Sequence, residues 1–141
     1  MHMKIFGERL INEVQKDFTS GYPFLKIEFF KNGAVRQDRY SAKQKIDHQQ
    51  KLKYAWYWKK DEGDLEIKDA MSVLELENAF IDEFGLSAQV YRRSGNVWLE
   101  TTMTDNWTLK QQNDHGREIT MGIKTTNYND NTDYELNRDN Y

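Results

Sequence analysis

Residues 71–86, MSVLELENAFIDEFGL, constrain the fold more than any other part of this sequence. Ser72 and Glu75 have the spacing of a capping box, in which a hydroxyl and a carboxylate satisfy the first free amide groups of a helix. Apolar residues then recur at steps of three and four and share one helical face: Val73, Leu76, Phe80 and Phe84. Gly85 can adopt the left-handed conformation that ends a helix. The pattern predicts an amphipathic helix that buries one face.

An earlier stretch, residues 9–30, has a similar plan. Its helical face consists of Leu10, Ile11, Val14 and Phe18. Gly21 and Pro23 end that helix, and residues 25–29 then alternate between apolar and charged, as a strand does. Residues 88–91 alternate in the same way after the second helix. The sequence therefore predicts two helix-then-strand units, which could derive from a duplication or agree by chance.

The segment after the second unit predicts a hairpin and then a short helix. Residues 91–102 form the hairpin with Ser94 and Gly95 in its turn, and a short strand precedes the capping box at residues 65–68. Thr102 or Thr104 can cap the following helix, in which Trp107 and Leu109 are the large apolar residues and which we expect Gly116 to end.

These elements predict an α+β fold, namely a two-layer α/β sandwich. A mostly antiparallel sheet of about four strands would carry two main helices on one face, with a short third helix and a loose C-terminal tail. The arrangement resembles the ferredoxin-like group of α/β sandwiches, permuted, a resemblance of architecture that implies no function. We expect one domain over residues 1–118 and a loosely ordered polar tail over residues 119–141.

The middle of the chain, residues 34–60, allows two interpretations. The residues Leu52, Tyr54, Trp56 and Trp58 alternate as in a strand. Alternatively, Ile46, Leu52 and Trp56 could share a helix that begins at Ser41. We expect a helix or loop up to about residue 50 and an extended stretch after it.

Known catalytic and cofactor signatures are absent, so we expect no enzyme, no cofactor and no metal. The sequence has no cysteine, no Gly-rich phosphate loop and no GxSxG or HExxH motif. His115 beside Asp114 has no second ligand at metal spacing, and His48 is distant in sequence. No apolar run approaches the roughly 20 residues that cross a bilayer, and the N-terminus has no signal peptide. A cytoplasmic protein without membrane contact is the expectation.

Charge is distributed in two adjacent blocks of opposite sign. Residues 31–60 hold nine basic and two acidic residues, whereas residues 61–86 hold nine acidic residues and one lysine. Basic residues interleaved with aromatic ones are typical of single-stranded nucleic-acid binding, with lysines on phosphates and rings on bases. The candidate contacts of that alternative function are Lys51, Lys53, Lys59 and Lys60. The competing interpretation is that the two blocks neutralise each other within the fold.

The preferred hypothesis is a non-enzymatic interaction module that binds a protein or a second copy of itself. The sheet face opposite the helices would display aromatic and mixed-charge residues, namely Phe24, Phe30, Tyr91, Trp98, Lys26, Glu28, Gln89 and Glu100. Glu28 and Glu100 would repel phosphate, whereas protein interfaces favour exposed aromatic residues. The candidate partner surface is Tyr54, Trp56, Tyr57, Trp58, Tyr91 and Trp98. Arg92 and Arg93, beside the hairpin turn, are expected to be exposed.

Overall fold

A computed structural model describes residues 1–31, 45–56 and 61–122 of the chain. Its strands are β1 (His2–Ile5), β2 (Leu25–Phe30), β3 (Gly63–Glu66), β4 (Ser87–Ser94) and β5 (Val97–Glu100). Its α-helices are α1 (Ile11–Gly21), α2 (Val73–Phe84) and α3 (Leu109–Met121). This confirms the predicted α+β class and is consistent with a small two-layer sandwich.

The described strands divide between two antiparallel sheets instead of forming one. The larger sheet has the order β2-β4-β5, with Ile27 opposite Val90 and Arg93 opposite Trp98. The smaller sheet pairs β1 with β3, with Met3 opposite Leu65. Strand β1 was not predicted, because its partner lies some sixty residues further along the chain.

The main core lies between α1, α2 and one face of the β2–β4 pair. The buried helix residues are Ile11, Val14 and Phe18 of α1 and Val73, Leu76, Phe80 and Phe84 of α2. Phe29 of β2 meets Phe80 edge to face, with ring centroids 5.5 Å apart. Met3 and Leu65 of the smaller sheet and Leu109 of α3 belong to the same buried cluster.

Helix α2 has both predicted ends. The Glu75 amide donates to Ser72 Oγ, and the Ser72 amide donates to Glu75 Oε1; both donor–acceptor distances are 3.0 Å. Gly85 follows with a positive φ of 66°, and its amide donates to the carbonyl of Ile81. The local signals of residues 72–85 therefore determine this helix.

Helix α3 differs from its prediction in its start, its end and its length. Residues Thr102–Thr104 form a separate 3₁₀ turn, and α3 is capped by Thr108, whose Oγ1 accepts from the Gln111 amide at 3.1 Å. The helix continues through Gly116 and ends at Gly122, which has a φ of 69°. It spans 13 residues and so is not a short helix.

Gly116 lies inside the helix for a packing reason. A Cβ atom there would come within 3.0 Å of both Arg92 Cγ and Phe24 Cβ. The glycine lets α3 approach the end of the larger sheet closely.

The middle segment is compact where it is described. Leu52–Ala55 form a 3₁₀ helix, so the predicted extended stretch is wrong for these residues. Its three-residue repeat buries Leu52 and Ala55, while Tyr54 stays exposed. Trp56 forms an isolated antiparallel bridge with Leu86. Residues 32–44, 57–60 and 123–141 lie outside the described residues, and with them Tyr57, Trp58, Lys59, Lys60 and most of the predicted tail.

Candidate interaction surface

The reverse face of the larger sheet is mostly covered instead of open. Phe30 is 1 % exposed and Tyr91 is 9 % exposed, and the two form a small second cluster of their own. Lys45 pairs with Phe30 through an isolated bridge, which brings the middle segment alongside β2. Trp98, on edge strand β5, keeps 37 % of its surface exposed. Of the predicted aromatic face, Trp98 is therefore the member that a partner can reach best.

Two lysines are held against the rings beside Trp98. Lys26 Nζ lies 5.2 Å from the Trp98 ring centroid and 5.4 Å from that of Tyr91, while Lys45 Nζ lies 5.5 Å from Tyr91. An ammonium group at this distance is attracted to the electron-rich face of the ring. Burial, with the nearby Glu100 and Glu28 carboxylates, raises the pKa of the Tyr91 phenol, which keeps it neutral. We call Lys26, Lys45, Tyr91 and Trp98 the Trp98 patch.

A buried carboxylate lies beneath this patch. Glu28 is 1 % exposed, and its oxygens lie 3.3 Å from Lys26 Nζ, 4.0 Å from Lys45 Nζ and 3.0 Å from His48 Nε2. Gln15 Nε2 also donates to it at 3.3 Å. A buried charge is tolerated only when it is paired and hydrogen-bonded, and Glu28 meets that condition. Its carboxylate fixes the positions of the lysine ammonium groups instead of facing solvent.

A surface cavity of about 420 Å³ adjoins this cluster. It is lined by the consecutive residues Lys45 to Gln49, which include His48. The side chains of Lys26, Lys45 and His48 remain 26 %, 35 % and 51 % exposed, so each is partly accessible to a ligand.

Trp56 has a structural setting, unlike Trp98. It packs against the main core, and its ring tip is so close to Gly7 that a Cβ there would lie 2.4 Å from Trp56 Cη2. The neighbouring Tyr54 is 54 % exposed, with Lys53 Nζ at 5.7 Å from its ring. Of the predicted partner residues before residue 57, Tyr54 is therefore the accessible one.

The lysines predicted for nucleic-acid contact are occupied where they are described. Lys51 Nζ and Lys53 Nζ lie 2.6 Å and 3.0 Å from the two carboxylate oxygens of Glu8. The hydrogen bond from Lys51, followed by that from Lys53, lowers the pKa of Glu8 to about 2. The carboxylate stays ionised and offsets part of the positive charge that a phosphate backbone would need.

A second polar cluster, which the sequence did not predict, lies between α3 and β4. Arg92, expected to be exposed, is 2 % exposed, whereas its neighbour Arg93 is exposed as predicted. Arg92 Nη1 donates to Gln112 Oε1 at 2.7 Å, and Gln112 Nε2 donates to the carbonyl of Thr104 at 2.6 Å. These bonds join α3, β4 and the 3₁₀ turn, which explains why a helix poor in apolar residues is nevertheless buried.

His115 completes that cluster. It is fully buried, and its ring lies 5.1 Å from the Trp107 ring, which also meets the Arg92 guanidinium at 5.5 Å. Burial, and secondarily the Arg92 charge, lowers the pKa of His115 to about 3. Leu109, Gln112 and Gly116 stand three and four residues apart along one face, and this spacing is the signal that could have revealed a buried polar helix.

An acidic groove near β3 offers no comparable chemistry. The cavity of about 380 Å³ is lined by Asp61, Glu62, Asp64, Asp82 and Glu83, together with Gly63 and Phe84. Glu62 Oε2 accepts from the Gly7 amide at 2.7 Å. Among residues 1–31, 45–56 and 61–122, no group of histidine and carboxylate side chains could hold a metal ion. Within those same ranges, no helix has the length and apolar character needed to cross a membrane.

Comparisons with known proteins give no match. No family model matches the sequence, and neither the search of curated proteins nor that of solved structures found a match.

Proposed function

We propose that this chain is a non-enzymatic interaction domain that binds a protein partner, or a second copy of itself, through the Trp98 patch. The observation that carries the proposal is a tryptophan that is 37 % exposed on an edge strand and is positioned by Lys26. Tryptophan is among the residues that contribute most to binding energy in protein interfaces. A side chain already held in place loses little conformational entropy when a partner covers it.

The remaining candidate residues support this choice to different degrees. Tyr54 is exposed and lies beside Lys53, outside the Trp98 patch, whereas Trp56 packs against Gly7 and the core. The alternative, single-stranded nucleic-acid binding through Lys51 and Lys53, is less favoured because Glu8 pairs with both lysines and because the neighbouring Trp56 ring packs against the core. Lys59 and Lys60 lie outside the described residues, so nucleic-acid binding is tested in a separate experiment.

The test compares three forms of the full chain: wild type, Trp98→Ala and a Met103→Ala control. Met103 is 81 % exposed and lies in the 3₁₀ turn after β5, which makes it a matched apolar truncation outside the patch. Self-association is measured by light scattering, and partner capture by quantitative affinity purification. We expect Trp98→Ala to weaken the association by about tenfold or more, as hot-spot truncations do.

Two results would contradict the proposal. In the first, the wild-type chain stays monomeric and captures no protein that Trp98→Ala fails to capture. In the second, Met103→Ala loses as much binding as Trp98→Ala does. Tight binding of a labelled single-stranded oligonucleotide, lost when Lys51, Lys53, Lys59 and Lys60 are changed to Ala, would favour the alternative function instead.

A further inference from the structure

We infer that the partner segment bound by the Trp98 patch is acidic: its carboxylate side chains meet Lys26 and Lys45 while an apolar side chain covers Trp98. This inference rests on the proposed function and specifies the chemistry of the partner. It comes from three features of the patch, namely its accessible ammonium groups, the occupation of its ring faces and the fixed positions of its lysines.

Cationic and carboxylate side chains meet on this side of the sheet. Among the described residues, Lys26, Lys45 and Arg93 lie here with Glu28 and Glu100, and the Glu77 carboxylate also acts on Tyr91. Glu28 is 1 % exposed, so its charge is directed at the lysines and not at an arriving ligand. The accessible charges of the Trp98 patch itself are therefore the ammonium groups of Lys26 and Lys45.

The faces of both rings are already in contact with ammonium groups. Lys26 Nζ contacts both Tyr91 and Trp98, and Lys45 Nζ contacts Tyr91. Proteins that bind single-stranded nucleic acid need open ring faces on which successive bases stack, together with a continuous basic groove. Tyr91 is 9 % exposed and offers no such face. The patch therefore favours carboxylates directed at the lysines over bases stacked on the rings.

The lysines are positioned before any partner arrives. Glu28 lies 3.3 Å from Lys26 Nζ and 4.0 Å from Lys45 Nζ, and the same two ammonium groups also contact the Tyr91 ring. A lysine normally loses much rotamer freedom when it forms an ion pair, and this arrangement reduces that loss. Both side chains nevertheless keep part of their surface exposed, which leaves ammonium hydrogens for an incoming carboxylate.

The experiment measures fluorescence anisotropy of two labelled probe peptides of about ten residues, long enough to cross an edge strand. One alternates glutamate with small residues around a single central leucine, and the other has glutamine in place of every glutamate. The full chain is compared with a Lys26→Gln, Lys45→Gln double variant and with a Lys51→Gln, Lys53→Gln control, whose lysines pair with Glu8. A Lys26→Arg, Lys45→Arg variant keeps the charge and tests for rescue.

We expect the wild-type chain to bind the glutamate peptide and to bind the glutamine peptide at least about tenfold more weakly, because charge complementarity selects the partner. Binding should weaken steeply between about 50 mM and about 500 mM salt, as exposed ion pairs become screened. The Lys26→Gln, Lys45→Gln variant should lose about tenfold in affinity, whereas the Lys51→Gln, Lys53→Gln control and the arginine variant should stay close to wild type. If the double glutamine variant does not fold, Lys45→Gln alone provides the test, since its ammonium is the more distant one from Glu28.

The inference is overturned if both peptides bind equally well, if neither binds, or if the control lysine pair causes the same loss. It is also overturned if a labelled oligo-thymidine of similar length binds more tightly than the glutamate peptide. These results are distinguishable from a failure of the proposed function. If Trp98→Ala abolishes capture of a natural partner while the glutamate peptide does not bind, the interaction surface stands and the acidic chemistry of its partner does not.

Discussion

His115 makes a measurable prediction about how the stability of the fold depends on pH. Its side chain is fully buried beside Arg92 and Trp107, and burial with the Arg92 charge lowers its pKa from the ordinary 6.5 to about 3. In the unfolded chain the same imidazole binds a proton near its ordinary pKa. Because the folded-state pKa is the lower one, His115 is neutral in both the folded and the unfolded chain above pH 6.5. It makes no pH-dependent contribution to stability in that range. Stability is then lost progressively as the pH falls toward about 3.

The size of the effect follows from proton linkage. Within that window each pH unit removes about 1.4 kcal/mol of unfolding free energy. On acidification from about pH 7.5 to about pH 5, stability is lost only over the interval below the unfolded-state pKa. The unfolding free energy therefore falls by about 2 kcal/mol. Domains of this size have total stabilities of about 5–15 kcal/mol, so the loss is large enough to measure.

The assay is urea unfolding at both pH values for wild type and His115→Leu. Other titrating groups act equally in both proteins, so the quantity of interest is the difference between their losses on acidification. We expect wild type to lose about 2 kcal/mol more than the variant. A His2→Gln control, whose side chain is 65 % exposed, should behave as wild type does. If wild type and His115→Leu lose the same free energy, the buried neutral histidine is not the cause and the reasoning is refuted.

Three further substitutions test separate parts of the fold by the same unfolding measurement. Gly7→Ala would place a Cβ 2.4 Å from Trp56 Cη2. We expect the free energy of unfolding to fall by about 1–3 kcal/mol and tryptophan fluorescence to be quenched more strongly. An unchanged unfolding midpoint would contradict the close packing. Arg92→Met removes the donor to buried Gln112 Oε1 and should cost about 1–3 kcal/mol, unless that oxygen finds a new donor, which a neutral result would indicate. Ser72→Ala removes the acceptor of the helix cap and should cost about 1 kcal/mol; no loss would show that the cap does not limit stability.

Helix α2 could be predicted from the sequence because everything that forms it is local. Ser72 and Glu75 cap each other within one turn, and Gly85 ends the helix with its own backbone conformation. The apolar face of the helix between these ends requires only an apolar surface to pack against, and the strand at residues 25–29 supplies one. Local signals of this kind survive in the folded protein when tertiary contacts agree with them.

Helix α3 shows why other elements could not be predicted. Gln112 and His115 have the composition of an exposed helix face, and they are buried because Arg92 comes from a distant strand to meet Gln112. Gly116 resembles a terminator, yet it serves the close approach of that strand. Both features depend on a tertiary contact: the spacing of Leu109, Gln112 and Gly116 marks the buried face, but it does not specify the strand that packs there. The same holds for β1, which is defined by its pairing with β3.

Glu28 connects the sequence argument with the candidate site most directly. As an exposed residue it would repel phosphate, and on that ground the sequence favoured a protein partner. It is instead 1 % exposed and within ion-pair distance of Lys26 and Lys45, so its charge is paired within the fold. Its burial requires cations nearby, and those cations lie against the rings of Tyr91 and Trp98. The proposal of a protein partner therefore rests on a different reason: the buried carboxylate holds lysines against the ring faces on which bases would have to stack.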